Sequence, residues 1–235
     1  MGRAALIASV PGDEASVAEA VARHPERFVG FFMVNPLSPE ADARVHRAIV
    51  ELGLRTVCLF PAMHHYDVAE GARVVEVAAA QGRTAVFVHC GLLSIGVRRK
   101  LGLPSRFDIM RGNPLAVQAL AVRFPQVPFI IPHFGAGFFR EALMAAEAAP
   151  NIYLDTSSSN GWLKYYPGLT LAQVFETALN VVGPDRLLFG TDSSFFPRGW
   201  QQPVFESQRA ALEVTGADEA ATAKIFRQNF ERLFP

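Results

Sequence analysis

The sequence contains few cysteines, no excess of either charge and no long apolar run, and each of these absences excludes a class of protein. Two cysteines, Cys58 and Cys90, among 235 residues are too few for a disulfide framework and favour a cytoplasmic location. Lysine plus arginine equals aspartate plus glutamate at 22 each, which argues against a nucleic-acid partner or a polybasic membrane surface. No apolar run is long enough to span a bilayer. We therefore expect neither a nucleic acid nor a membrane as the partner.

Short apolar runs alternate with helix-like segments along almost the whole chain. Half of the residues are hydrophobic and 19 are phenylalanine, which is enough for a large core. Because the runs are continuous rather than alternating, they predict parallel strands covered on both faces. The seven predicted strands cover residues 4–10, 27–36, 54–61, 84–90, 127–133, 151–157 and 186–192. No linker divides the chain, so we expect one barrel domain over residues 1–235, one βα unit short of the usual eight.

Three of the predicted strands end in a side chain that binds metals: His89, His133 and Asp192. The carboxyl ends of barrel strands converge on one face, and active sites form there. Two imidazoles and a carboxylate brought together in this way can hold a divalent metal. Taken singly, each histidine also suits a core position, and the aspartate also suits a turn cap. Their occurrence at equivalent positions on three strands favours a site.

The loops and strand ends near this face carry further candidates. His65 follows the third predicted strand, Arg98 lies in the long loop after His89, and Arg198 follows Asp192. An arginine near a metal can clamp a substrate carboxylate, although charged loop residues are usually solvated. Asp155 is expected to hold the serines that follow it or to support the metal ligands.

Seven segments together resemble the amidohydrolase-related family of metal-dependent hydrolases, in the branch that includes aminocarboxymuconate-semialdehyde decarboxylase. FVHCG, PHFG and FGTDS in that order are fairly specific, whereas none of the three is specific alone. The matching segments run in family order over about residues 4–234 and read RFVGFFMVNP, ELGLRTVCLFPAMH, FVHCG, FIIPHFG, NIYLDTSS, DRLLFGTDS and NFERLF. The resemblance implies a (β/α)8 barrel of the TIM type with one divalent metal, usually zinc, with manganese as the alternative.

The resemblance also implies roles for the three strand-end residues. His89 is implied as a metal ligand, and His133 as a ligand or a catalytic group beside the metal. Asp192 is implied to bind the metal and to handle the proton of the bound water. The resemblance implies a small-molecule substrate, and the expected reaction is attack of a metal-activated water on its C–N or C–O carbonyl group. Non-oxidative decarboxylation of a small aromatic or unsaturated carboxylic acid is the alternative.

One departure from the family pattern is serious. Members normally open with a strand that ends in His-x-His, and this chain has no such motif, since MGRAALIASV matches the family's second strand. We therefore expect a barrel without its first βα unit, with two apolar edges that invite pairing between chains and hence a homo-oligomer. The expected metal ligands are then His89, His133 and Asp192, and three protein ligands is the usual number for a catalytic zinc. A truncated or degenerate barrel without activity is a further alternative.

Overall fold

A single curled sheet of parallel strands forms the centre of the protein. The computed structural model describes residues 2–10, 12–93, 100–158, 161–193 and 199–235. Strands that are consecutive in the chain pair with each other in parallel throughout the sheet, which confirms the predicted parallel sheet. The strands are β1 (Ala4–Ala8), β2 (Phe28–Met33), β3 (Thr56–Leu59), β4 (Ala85–Val88), β5 (Phe129–Ile131), β6 (Ile152–Asp155) and β7 (Leu187–Leu188).

Helices follow the strands, and most of their buried apolar residues pack on the convex face of the sheet. They are α1 (Glu14–Arg23), α2 (Ala41–Val50), α3 (Pro61–His64), α4 (Ala72–Ala80), α5 (Pro114–Arg123), α6 (Phe139–Ala148), α7 (Leu171–Val182), α8 (Gln202–Thr215), α9 (Glu219–Ala223) and α10 (Asn229–Leu233). A π-helical turn, Lys224–Gln228, joins α9 to α10. In the described part of the chain, no helix combines the length and the apolar character needed to cross a membrane.

The strands are shorter than the sequence pattern predicts, and proline explains the limits of β5. Pro128 and Pro132 flank its three residues, and proline has no N–H to donate to a sheet ladder. As a result His133 lies in a turn just beyond the strand rather than on its last residue.

The core is divided by the sheet into two apolar clusters, and β4 contributes to both. Ala85 and Phe87 belong to the cluster on the concave face, whereas Val86, Val88 and Cys90 belong to the larger cluster under the helices. Alternation along the strand therefore points Cys90 away from His89, as predicted. Burial raises the pKa of the Cys90 thiol, so this cysteine is an inert core residue.

The outer edge of β7 is covered by the C-terminal segment, so the prediction that both sheet edges are exposed is wrong for this strand. The backbone N–H of Phe189 donates to the carbonyl of Ile225 at 3.0 Å. Asn229 Nδ2 donates to the carbonyls of Pro184 at 2.7 Å and of Leu187 at 2.8 Å. Among the strands that the structure describes, β1 and β7 do not pair with each other, so the sheet is an open half-barrel.

Asn229 is accordingly expected to be essential for the stability of this edge. Asn229→Ala leaves two carbonyls near β7 without their donor and is expected to lower the free energy of unfolding by about 2–4 kcal/mol. Urea denaturation would measure the change, and Gln228→Ala, at the exposed neighbouring residue, is the matched control, with an expected change within about 0.5 kcal/mol. Equal losses in the two variants would contradict the assigned role of the Asn229 amide.

Candidate active site at the carboxyl ends of β4 to β7

His89 follows β4 directly and lies on the concave side of the sheet. It is only 5% exposed, and its ring stacks on Phe60 with centroids 5.2 Å apart. Burial, and secondarily the charge of His133, lowers the pKa of His89 to about 3, so its imidazole is neutral at physiological pH. Its Nδ1 atom is buried and has no hydrogen-bond partner among the described residues. A buried unpaired nitrogen is costly in a purely structural role, which favours a functional one.

His133 lies beside His89 in an unusual backbone conformation. The two ring centroids are 5.2 Å apart. Residues 133–137 all have positive φ, and three of them are not glycine: His133 at 58°, Phe134 at 49° and Ala136 at 44°. Left-handed conformation costs a non-glycine residue about 1–2 kcal/mol, and such strain clusters at functional sites. The turn therefore needs strong support from its surroundings.

The loop after β4 supplies much of this support by packing backbone against backbone. Leu92 N–H donates to the carbonyl of Ala136 at 2.8 Å. Gly91 is so close that an added Cβ would lie 2.1 Å from the carbonyl oxygen of Gly135. From the other side, the Tyr166 hydroxyl donates to the carbonyl of Gly137 at 2.6 Å. These contacts connect the turn after β5 to the loop after β4 and thus set the position of His133 relative to His89.

Asp155 and Ser157 extend the site to the end of β6. Ser157 donates both its backbone N–H, at 2.7 Å, and its hydroxyl to the Asp155 carboxylate. His133 Nδ1 lies 2.9 Å from the Ser157 carbonyl oxygen and 2.9 Å from its Oγ. Burial raises the pKa of Asp155, while His133 and the hydrogen bonds from Ser157 act to lower it. Asp155 thus holds the following serine, as expected, and through it contacts a candidate site histidine.

The end of β7 packs closely against the end of β6. A Cβ added to Gly190 would lie 2.7 Å from the Ser157 Cβ and 3.0 Å from an Asp155 carboxylate oxygen. The buried side chain of Gln208, in α8, donates to the carbonyls of Thr156 at 2.8 Å and Gly190 at 3.1 Å. A continuous line of contacts therefore runs from His89 to the segment that leads into Asp192.

The structure brings two of the three predicted ligands together. His89 and His133 are in contact, whereas Asp192 lies at the same end of the sheet with an exposed side chain and a φ of 55°. Across the described ranges, no group of three or more His, Cys, Asp or Glu side chains is placed to hold a metal ion. The unpaired nitrogen of His89 fits a metal's need for neutral donors, but two imidazoles are fewer than the usual three protein ligands.

Of the three predicted substrate-binding residues, the structure describes only His65. His65 is exposed just after α3, at a φ of 58°, whereas Arg98 and Arg198 lie outside the described residues. The sequence reasoning did not identify Gly91 or Gln208. A polar side chain on the buried face of α8 is the signal that could have drawn attention to Gln208.

The sequence pattern of the amidohydrolase family matches residues 2–235. Among curated proteins, a 93-residue segment is 30% identical to Protein fluG of Emericella nidulans. This segment covers 38% of the present chain and 10% of Protein fluG, so the chain spans only a small part of that relative.

Solved structures show the same fold at low sequence identity. An uncharacterized TIM-barrel protein from Bordetella bronchiseptica superimposes with a TM-score of 0.72 at 22% identity, over 99% of this chain and 77% of that one. An amidohydrolase from Burkholderia multivorans with bound zinc gives 0.68 at 18%, over 99% and 83%. A 5-carboxyvanillate decarboxylase from Novosphingobium aromaticivorans with bound manganese gives 0.61 at 17%, over 100% and 77%.

Proposed function

Since this chain belongs to the amidohydrolase family, we propose that it is a metal-dependent hydrolase whose ligands are His89, His133 and Asp192. The observation that carries the proposal is the contact between the two imidazoles at the carboxyl end of the sheet, with centroids 5.2 Å apart and a buried, unpaired Nδ1 on His89. Zinc is the favoured metal and manganese the alternative, since each is bound in one of the similar structures.

A bound divalent metal would supply a nucleophile by lowering the pKa of water toward neutrality. The protein's own residues would do the rest. Burial keeps the His89 imidazole neutral. One of its ring nitrogens is therefore unprotonated and has a lone pair available for a metal. Asp192 would take the proton of the attacking water and return it to the leaving group, and His133 would hold the metal beside His89.

Metal titration of the chelator-treated protein tests this proposal. We expect about one zinc or manganese ion to bind per chain, the stoichiometry of a mononuclear catalytic site. His89→Ala, His133→Ala and Asp192→Asn should each weaken binding by at least about tenfold, because a donor is removed. His24→Ala removes an exposed histidine at the end of α1 and serves as the matched control. Absence of metal binding, or equal losses in the control, would contradict the proposed site and favour a non-catalytic barrel.

Decarboxylation is a second candidate, and the aromatic wall beside His89 favours it. Phe60 stacks on the His89 ring, and Phe87 lies 6.3 Å from Phe60 between ring centroids. Such a wall suits a small aromatic carboxylic acid, and a similar structure is that of a decarboxylase of an aromatic acid. Assaying CO₂ release from aromatic carboxylic acids beside hydrolysis of amides and lactones by the same metal-loaded preparation distinguishes the two reactions.

A further inference from the structure

We propose that Ser157 and Asp155 are positioning residues that hold the His133 ring as the tautomer with its proton on Nδ1. This arrangement leaves the Nε2 lone pair of His133 free for the site. The inference deepens the proposed function, because it decides what His133 can do there. Its structural basis, the contacts among the three side chains, does not depend on a metal.

The Ser157 carbonyl determines which ring nitrogen carries the proton. His133 Nδ1 lies 2.9 Å from that oxygen. A carbonyl oxygen only accepts hydrogen bonds, so the proton in this bond belongs to Nδ1. A neutral imidazole carries one N–H, and its other nitrogen, Nε2, is therefore an acceptor.

The Ser157 hydroxyl supports the same assignment. A hydroxyl has a single proton to donate, and that of Ser157 is directed to the Asp155 carboxylate. Its oxygen, 2.9 Å from His133 Nδ1, is therefore a second acceptor for the Nδ1 proton. The order of donors is His133 to Ser157 to Asp155, and each donor has an acceptor.

Asp155 is fixed at the end of this chain of hydrogen bonds. The backbone N–H groups of Ser157 and His133 both interact with its carboxylate and act to lower its pKa. The absence of a side chain at Gly190 leaves room for the Asp155 carboxylate, since a Cβ at that position would lie 3.0 Å from the nearer carboxylate oxygen. Donors of this kind offset the cost of placing a charge in the protein.

The Nδ1–H tautomer limits the roles that His133 can take at the site. With the proton on Nδ1, Nε2 can bind a metal or accept a proton, but it has no hydrogen to donate to an oxyanion. Histidine ligands of metals commonly donate their other ring N–H to a carbonyl or carboxylate, which fixes the ring and its tautomer. Asp155, the last residue of β6, and Ser157, just beyond it, provide this support for a residue that follows β5.

Nitrogen-15 NMR of the histidine rings in the metal-free protein tests the inference at a pH where the ring is neutral. The wild-type protein should show His133 Nε2 with the downfield resonance of an unprotonated nitrogen and Nδ1 with that of an N–H. Ser157→Ala removes the hydroxyl, one of the two acceptors of the Nδ1 proton, and should raise the share of the opposite tautomer while the remaining backbone carbonyl keeps Nδ1–H the major form. Ser157→Thr, which keeps the hydroxyl, should show the wild-type spectrum. Ser16→Ala, at an exposed serine of α1, is the control.

Two results would overturn the inference. The first is an Nε2–H tautomer of His133 in the wild-type protein, which needs no variant to fold. The second is a Ser157→Ala spectrum indistinguishable from that of the control. If metal binds, its affinity in Ser157→Ala should also fall roughly 10–100-fold. A protein that binds no metal but shows the Nδ1–H tautomer would contradict the proposed function alone.

Discussion

Replacing Gly91 with alanine is expected to lower the free energy of unfolding by about 3–5 kcal/mol. Two costs add at this position. Gly91 has a φ of 71°, where an L side chain is strained, and its added Cβ would lie 2.1 Å from the Gly135 carbonyl oxygen and 2.5 Å from that of Ala136. Both neighbours are backbone atoms of the left-handed turn, so a side-chain rotation cannot relieve the clash.

Gly53 provides the matched control for this substitution. Its φ is 69°, nearly that of Gly91, but no atom of the described residues lies within 4 Å of an added Cβ. Gly53→Ala is therefore expected to cost only the conformational strain of about 1–2 kcal/mol. Guanidinium denaturation of both variants separates the two contributions. Similar losses in the two proteins would mean that the loop after β4 does not pack tightly against the turn that carries His133.

Acid is expected to destabilise the metal-free protein through His89 by about 4–5 kcal/mol. Burial, with a contribution from His133, lowers the pKa of His89 from 6.5 to about 3 in the folded state. Between these two values the unfolded chain binds a proton that the folded protein does not. The contribution of His89 to stability is therefore complete above pH 6.5, falls as the pH drops, and reaches its full loss near pH 3.

His89→Gln isolates this effect, because glutamine does not titrate. The difference in unfolding free energy between wild type and variant, measured by urea denaturation with chelator present, should shift in favour of the variant as the pH falls. Asp155, whose pKa is raised by burial, acts in the opposite sense, but it is common to both proteins and cancels. His24→Gln is the control at an exposed position. A difference that does not change with pH would show that His89 is hydrated in the folded protein.

Local patterns in the sequence were sufficient to identify the parallel sheet and two of the residues that meet at its carboxyl end. Strand alternation at β4 correctly separates Phe87 and His89 on one side from Cys90 on the other, because this period depends only on the backbone of one strand. The same reasoning extended β5 through His133. The prolines at positions 128 and 132 mark the limits of that strand.

The sequence by itself determined the order of the strands, the family to which they are similar, and the location of the candidate chemistry at their carboxyl ends. Only the tertiary structure decided that His133 contacts Ser157, that Gly91 packs against the left-handed turn, and that Asn229 covers the edge of β7. The physical reason is the separation in sequence over which each kind of interaction acts. Apolar runs and alternation act between neighbours in the chain, whereas these contacts join segments far apart in sequence and impose a backbone conformation that local preferences oppose.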